Sequence, residues 1–526
     1  MNFVCEECFM RDFLSHTSWW FDASPEDDAY ISEIYAHILD SDIQDNNSDI
    51  IARIMVYDQL PRHVFRNSQS SHIILYFLQK AIKLFESIHV NDIINLPPDK
   101  WCFAMLPYRH SQDPSKIQYV MKCAWQKLYI CDGENKELVK RFIKATFTRC
   151  PTDDQSMFIK TVSESKTSVC IQSEFDDIID QTKYIKCDNK YIYSAFKALH
   201  DLHDTPYIIS LSGGVDSMVC SWVMKKTLQR PIVAVHINYC NRDTAFKEEE
   251  FVTAWCTYLG IPLIVRRISE INRKQCMEND MRDIYERYTR NVRYATYKTV
   301  NERPLVVLGH NKDDCLENIM TNIAHQNKYD NLHGMSLEIY QDGITFIRPL
   351  LNISKEAIRT FAAYNDIPHL PNSTPSWSQR GQIRANIVPV LDAWDPRMVP
   401  GLFNISSIMQ QMHGYFTMYV KNIVHEIKKN GHIHIQIHDI QLSPIFWKEI
   451  VKMTQSIIPS EKAVKNIINR LASLKSTFDQ IKIHHTSYIE VQKSIRISLQ
   501  KIDKESIILR IHNKCGVQSN QTGKTY

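Results

Sequence analysis

The stretch YIISLSGGVDSMVC, Tyr207 to Cys220, sets two adjacent glycines in a chain that holds only thirteen among its 526 residues. It opens on a β-branched run of the buried-strand type, YIISL. It closes on DSMVCSWVMKK, where Met218 with Trp222 and Val219 with Val223 recur at helical spacing. Ser212, Gly213 and Gly214 therefore fall in a turn between a strand and a helix, with Val215 just ahead of the helical segment. Glycines there take backbone conformations closed to other residues and let a phosphate approach the amides. The helix N-terminus adds a partial positive charge and unpaired N–H groups aimed at the same point. Ser212 and Ser217 add hydroxyl donors. Asp216 would repel phosphates unless it holds a cation, and Mg²⁺ is the expected one. The loop has neither the length nor the lysine of a Walker A sequence, and it lacks dinucleotide-fingerprint spacing.

Working outward, 526 residues and 61.6 kDa exceed what one core organises, and about three domains are expected. A hydrophobic content of 44% with 23% charged residues is ordinary globular composition. No apolar run approaches the roughly 18 residues of a transmembrane helix. The opening MNFVCEECFMRDF is acidic and broken by charges, unlike a signal peptide. Fourteen scattered cysteines imply a reduced, cytoplasmic compartment. The CxxC of Cys5 and Cys8 has no second half that would complete a metal site. Net charge is +3, but residues 421–526 carry 17 Lys and Arg against 8 Asp and Glu, while the other 420 carry 45 against 51. The basic end suits a polyanion partner or a plain solvated surface.

The pattern of apolar residues changes twice along the chain. Up to about residue 180 it is helical, as in SDIIARIMVYDQL and SSHIILYFLQKAIKLFESI, with a polar stretch from Cys150 to Cys170 read as a linker. From about residue 205, short β-branched runs (YIISL, PIVAVHIN, IPLIVRRI, PLVVLGH) alternate with helical segments, as βαβ units around a parallel sheet do. Beyond about 396 the reading is helical again and then gives short strands. One of these, HIHIQIH, puts Ile433, Ile435 and Ile437 on one face and His432, His434 and His438 on the other. A half-buried strand explains that pattern better than a metal site. The expected domains are 1–185, all-helical; 186–395, α/β; and 396–526, a smaller basic α+β domain.

The segment SGGVDS resembles the signature of the PP-loop ATP pyrophosphatases, whose adenine nucleotide alpha hydrolase-like sheet is parallel. Such enzymes adenylate a substrate oxygen, release pyrophosphate and let a nucleophile displace AMP. Five further segments are similar, in order, to motifs of the tRNA(Ile)-lysidine synthetases: YTRNVRYATY (288–297), LGHNKDDCLENIM (308–320), LHGM (332–335), RPLLNISKEAIRTF (348–361) and RGQIRANIVPVL (380–391). PSEKAVKNIINRLASLKS resembles that family's following substrate-binding domain. His310 and Asp314 lie four apart and Asp314 and Glu317 three apart, so a helix puts them on one face. The resemblance implies ATP with Mg²⁺ as cofactors and tRNA and free lysine as substrates. It implies nucleotide contacts from Ser212 to Ser217 and His236, and catalytic roles for Arg290, His310, Asp314 and Glu317. Arg380 and Arg384 would contact RNA, and Asp216 with Asp313 would hold Mg²⁺. A tRNA thiolase fed by an external sulfur donor is the alternative enzyme, although Cys220, Cys240, Cys256, Cys276 and Cys315 form no CxxC pair. A non-catalytic RNA-binding adaptor fits the intact loop poorly.

Three segments depart from the lysidine-synthetase pattern. VHINYCNR keeps His236 but has Asn238 and Tyr239 where histidines are typical. AHQNKYDN replaces a glycine-rich arginine segment, and PNSTPSWSQRG replaces an Asp-x-Ser-Asn motif. These bear on acceptor and nucleophile more than on adenylation. In the first third, ARIMVYDQLPRHVFR and WCFAMLPYRHSQD resemble a mainly bacterial helical family of unknown function with a TPR-like fold, with Gln112 in place of its usual acid. Arg62, His110 and Ser111 there form either a polar site or hydrogen bonds between helices. Fold analogy alone gives this region a protein- or RNA-docking role.

Overall fold

The computed structural model describes residues 5–513 except 22, 40–48, 67–70, 150–157, 162–173, 181–189, 200–205, 229–230, 326–333, 372–377, 441–442, 456–458 and 493–494. The chain divides into two compact units. One comprises Met1–Asn311 with Leu337–Asn372, the other Lys312–Ser336 with Ser373–Tyr526. No described helix is long and apolar enough to cross a membrane, and the ten described cysteines are all free.

The first unit is built on a seven-stranded sheet. Its strands are β1 (Phe158–Thr161), β2 (Tyr207–Ser210), β3 (Ile232–Asn238), β4 (Leu263–Arg267), β5 (Leu305–Val307), β6 (Glu338–Gln341) and β7 (Ile344–Ile347), in the order β1-β4-β3-β2-β5-β7-β6. The five inner strands run parallel. The outer two are antiparallel to their neighbours and close the edges. β1 lies within the polar stretch read as a linker, where the Phe-Ile-Lys-Thr tetrad pairs along β4 from Phe158↔Arg266 to Thr161↔Leu263. Successive residues of β2 alternate faces: Tyr207 and Ile209 enter one core with Val219, Val223 and Phe251, while Ile208 enters another with Val235, Val306 and Phe346. Burying each such side chain contributes about 1.5–3 kcal/mol.

Helices precede this sheet, as the spacing predicts. Asp99, which follows a proline turn, falls in the first turn of helix Pro98–Ala104 rather than at its N-cap, which is Pro97. The helical region does not keep a core of its own. Phe9, Phe13, Trp101 and Phe142 share one apolar cluster with Ile284, Tyr288 and Val292 of helix Arg282–Val300, and the rings of Phe147 and Tyr288 lie 5.0 Å apart. Beside this seam, the fully buried Arg266 of β4 pairs with Glu270, Nη2 to Oε1 at 2.5 Å. Tyr288 Oη donates to the same oxygen at 2.8 Å.

The second unit contains helices Lys312–Ala324, Val388–Trp394 and Met398–Asn430, the last of 33 residues. It also contains a four-stranded antiparallel sheet made of β8 (Ile433–Gln436), β9 (Thr486–Gln492), β10 (Ile495–Lys501) and β11 (Ser506–Asn513), in the order β8-β11-β10-β9. Helices Pro444–Gln455 and Glu461–Thr477 supply Trp447, Ile450, Ile467 and Leu471 to its core. Ile433, Ile435 and Ile437 pack against that core as the alternation predicts, although Ile437 already lies in a 3₁₀ turn. His432 and His434 approach to 3.2 Å between their Nε2 atoms. No group of three or more His, Cys, Asp or Glu side chains among the described residues forms a metal cage there or elsewhere.

Candidate active site

The order β3-β2-β5 makes the gap between β2 and β5 a topological switch point, because the chain runs outward through β3 and β4 and then returns to the other side of β2. In open parallel sheets, ligands enter the crevice at the strand ends of such a gap. The loop after β2 and the turn after β5 meet there. Gly213 has φ +83°, a left-handed value that favours glycine, and its carbonyl accepts from the Leu370 amide at 2.9 Å. Gly214 is the N-cap of helix Val215–Thr227. Ser217 Oγ donates to the Gly214 carbonyl at 2.9 Å and stands 3.1 Å from Ser212 Oγ, while the Ser212 amide donates to Ser217 Oγ at 3.2 Å. These bonds fix the loop while the first-turn amides, which have no i−4 carbonyl, open the helix. On the β5 side Gly309 is so close that a Cβ would sit 2.9 Å from both C and Cβ of Asp216.

Asp216 is held from two directions. Asn311, two residues beyond Gly309, donates from Nδ2 to Oδ1 at 3.0 Å. Lys355 Nζ forms an ion pair with Oδ2, with both side chains less than a fifth exposed. Neither partner was expected from the sequence. Lys355 lies 139 residues away in the first turn of helix Lys355–Tyr364, after the N-cap Ser354. A cation at a helix N-terminus opposes the macrodipole, and that misfit is the signal that marks it. It supplies the positive charge missing from the loop. A single carboxylate of this kind is what Mg²⁺ uses when phosphates and water supply its other ligands.

His236, on β3, is buried. Its Nδ1 lies 2.8 Å from the Leu211 carbonyl at the entrance to the loop, and burial pushes its pKa down. It is therefore a neutral imidazole donating to that carbonyl. The departures beside it are structural. Asn238 donates to Glu249 Oε2 at 2.8 Å and accepts from the Cys240 amide at 2.9 Å, holding the turn where Cys240 has φ +50°. His310 Nδ1 accepts from Arg348 Nε at 3.1 Å, which puts the ring proton on Nε2. Arg290 is exposed on helix Arg282–Val300. The inward arginine of that helix is Arg293, whose burial would lower its pKa but whose tyrosine neighbours Tyr297 and Tyr239 leave it raised. Tyr297 Oη in turn donates to Ser210 Oγ at the end of β2 at 2.8 Å.

In the second unit, Asp313, Asp314 and Glu317 share the first turns of helix Lys312–Ala324. Arg384 donates to Glu317 Oε1 from Nε at 2.8 Å and from Nη2 at 2.6 Å, and it lies 3.9 Å from Asp314 Oδ1. Two residues expected to act separately thus form one pair. Arg384 sits in a single π-turn, Ile383–Ile387, a feature frequent at functional sites. Arg380 is exposed. Most of AHQNKYDN, the start of LHGM and residues 372–377 of PNSTPSWSQRG lie outside the described residues.

Burial pushes the Glu317 carboxyl above its ordinary 4.5, against the pull of Arg384. The folded chain then keeps this proton to higher pH than the unfolded chain, so stability falls as pH rises from 4.5 through the raised value. Glu317→Gln is expected to flatten that part of the profile, measured as the unfolding midpoint between about pH 4 and 7.

Residues 188–391 match the PP-loop domain family, and residues 5–181 match a family described as a bacterial protein of unknown function, DUF924. The chain carries a PP-loop domain. Relatives named tRNA(Ile)-lysidine synthase align with it. That of Chlamydia felis is 26% identical over 247 residues, 46% of this chain and 75% of the relative. That of Staphylococcus aureus is 24% identical over 234 residues, 43% and 53% respectively. That of Pseudothermotoga lettingae is 30% identical over 193 residues, 35% and 41%. The chain thus spans about half the length, or less, of the last two. Among solved structures, a U34-tRNA thiolase from Methanococcus maripaludis superposes with a TM-score of 0.35 at 16% identity, covering 42% of this chain and 79% of that one. That score is too low to bear on function.

Proposed function

We propose that this chain is an ATP-dependent tRNA-modifying ligase of the lysidine-forming kind. The observation that carries the reading is the glycine loop at the switch point, with Asp216 pinned between Asn311 and Lys355. In the proposed reaction a cytidine carbonyl oxygen of the tRNA attacks the α-phosphorus of ATP, the α–β anhydride bond breaks, and pyrophosphate leaves. An amine, lysine by kinship with the relatives, then bonds to the activated carbon. The carbon–oxygen bond breaks, and AMP departs with the former carbonyl oxygen. Asp216, or as a second candidate Asp313, would hold Mg²⁺, whose charge would offset that of the phosphates.

The chain's own residues position and balance charge. The amides and hydroxyls from Ser212 to Ser217 cradle phosphates, His236 orients the loop through Leu211, and Lys355 exchanges its carboxylate partner for phosphate oxygens. His310 takes the amine's proton at Nδ1 only by giving up the bond from Arg348. While that bond holds, it acts as a donor through Nε2. Asp314 and Glu317 are the carboxylates for an incoming ammonium. With Arg384 committed to Glu317, Arg380 and the basic C-terminal region make the salt-sensitive contacts to tRNA phosphates.

The test is pyrophosphate release with mixed tRNAs, run alongside labelled lysine. Release stimulated by tRNA, with label entering the tRNA, is the expected result. No stimulation, or equal release from Asp216→Ala, overturns the enzymatic reading. Release without lysine incorporation keeps the adenylation step and removes lysine as the nucleophile.

A further inference from the structure

The helical region contains a cavity of about 210 Å³ that the adenylation chemistry does not use. Trp20, Phe103 and Phe142 form apolar walls, and Arg62, Arg109 and His110 bring polar groups to it. The acids nearby are already engaged. Asp58 accepts from His110 Nδ1 at 2.9 Å and from Arg62 Nη2 at 3.2 Å. Asp28 is paired with His63 at 2.8 Å and Arg66 at 3.0 Å. Arg109 is left over. It is 9% exposed and lies 5.0 Å from the Phe142 ring. It has no ion pair among the described residues, and its buried Nε lacks a hydrogen-bond partner, as does that of Arg62. Arg149, exposed at the rim, adds a second cation without a described acid. Burial and Arg149 push the Arg109 pKa down to about 10, which still leaves it charged at neutral pH.

A core does not bury a guanidinium unpaired without cost, and the cost is relieved when an anion enters. Ser111, grouped with this site on sequence grounds, instead donates to the Tyr108 carbonyl at 2.7 Å and ends its helix. We propose that the cavity binds a small phosphomonoester, its dianionic phosphate taken by the guanidinium groups of Arg109 and Arg149 and its organic body by the aromatic walls. Arg109 and Arg149, neither with an acid partner among the described residues, match a dianion better than a carboxylate, and forked guanidinium donors suit phosphate oxygens. With its Nδ1 proton given to Asp58, His110 offers Nε2 as an acceptor for a hydroxyl on the organic part.

The test is titration calorimetry on the full chain with phenyl phosphate, inorganic phosphate and benzoate, each with saturating ATP so that the loop after β2 is filled. Phenyl phosphate is expected to bind at about 100 μM or tighter, and at least about tenfold better than the other two probes. Arg109→Met is expected to weaken it about tenfold or more while the unfolding midpoint stays level or rises, because an unpaired buried charge is gone. No heat from phenyl phosphate at millimolar concentration, equal binding of benzoate, or unchanged affinity in Arg109→Met each overturns the proposal. Should Arg109→Met fail to fold, Arg149→Ser at the exposed rim replaces it. A clear loss of affinity is then expected, and an unchanged isotherm overturns the proposal.

Discussion

Gly309→Ala is expected to lower tRNA-dependent pyrophosphate release by about 10²–10³-fold, the usual effect of misplacing a preorganised donor group, with circular dichroism unchanged. The added Cβ would lie 2.9 Å from C and Cβ of Asp216 and 3.0 Å from the Ser217 amide nitrogen. These are first-turn backbone and Cβ atoms, which no rotamer change can move aside. The β2 and β5 loops must separate, and with them go the loop amides proposed to cradle phosphates and the 3.0 Å bond from Asn311 to Asp216. Gly213→Ala makes a useful contrast. Its Cβ would meet side-chain atoms alone, Leu370 Cδ1 at 2.5 Å, Leu370 Cγ at 3.2 Å and Val252 Cγ2 at 3.3 Å, and the φ of +83° adds about 1–2 kcal/mol. Release from Gly309→Ala within about threefold of wild type would sink the claim that back-to-back loops set the site.

Arg266→Ala is the substitution with the largest expected cost in stability, about 3–5 kcal/mol, read as the change in urea midpoint multiplied by the slope. Arg266 is fully buried on β4, and its partner Glu270 has a side chain only 2% exposed. Removing the guanidinium leaves a carboxylate in the core with, among the described residues, the Tyr288 hydroxyl to answer it. Glu270 Oε2 and Arg266 Nε already lack hydrogen-bond partners among the described residues, so none of these shows a spare donor that would take over. The double substitution Arg266→Met with Glu270→Leu is expected to recover most of the loss, since a well-packed apolar pair often equals a buried ion pair. A loss under about 1 kcal/mol in the single variant would show that water reaches the carboxylate.

The sequence made the architecture of the site legible because its signals are local. A β-branched run, a glycine turn and a helical spacing lie within fourteen residues at Tyr207–Cys220, and the alternation of strands and helices follows from periodicity. What it hid depends on closure over distance. Lys355 and Asn311 reach Asp216 across 139 and 95 residues, and Arg384 reaches Glu317 across 67. Arg293 was within reach. It lies four residues before Tyr297, hence on the same helix face, whereas Arg290 falls on the solvent side. β1 escaped notice because four residues in a polar stretch become a strand only when β4 offers an open edge. The cavity in the helical region had two of its residues in view, Arg62 and His110, but not Arg109, whose burial only the packed helices reveal.

The apolar seam between the amino-terminal helices and helix Arg282–Val300 also bears on how substitutions combine. A module joined by a tether can be lost, exchanged or duplicated without its neighbour noticing. Here Phe9, Phe142 and Phe147 complete the interior of a helix that also carries Arg293 toward β2. Substitutions that face each other across the seam are therefore expected to couple in their effect on stability, so that a defect on one side is offset by a change on the other.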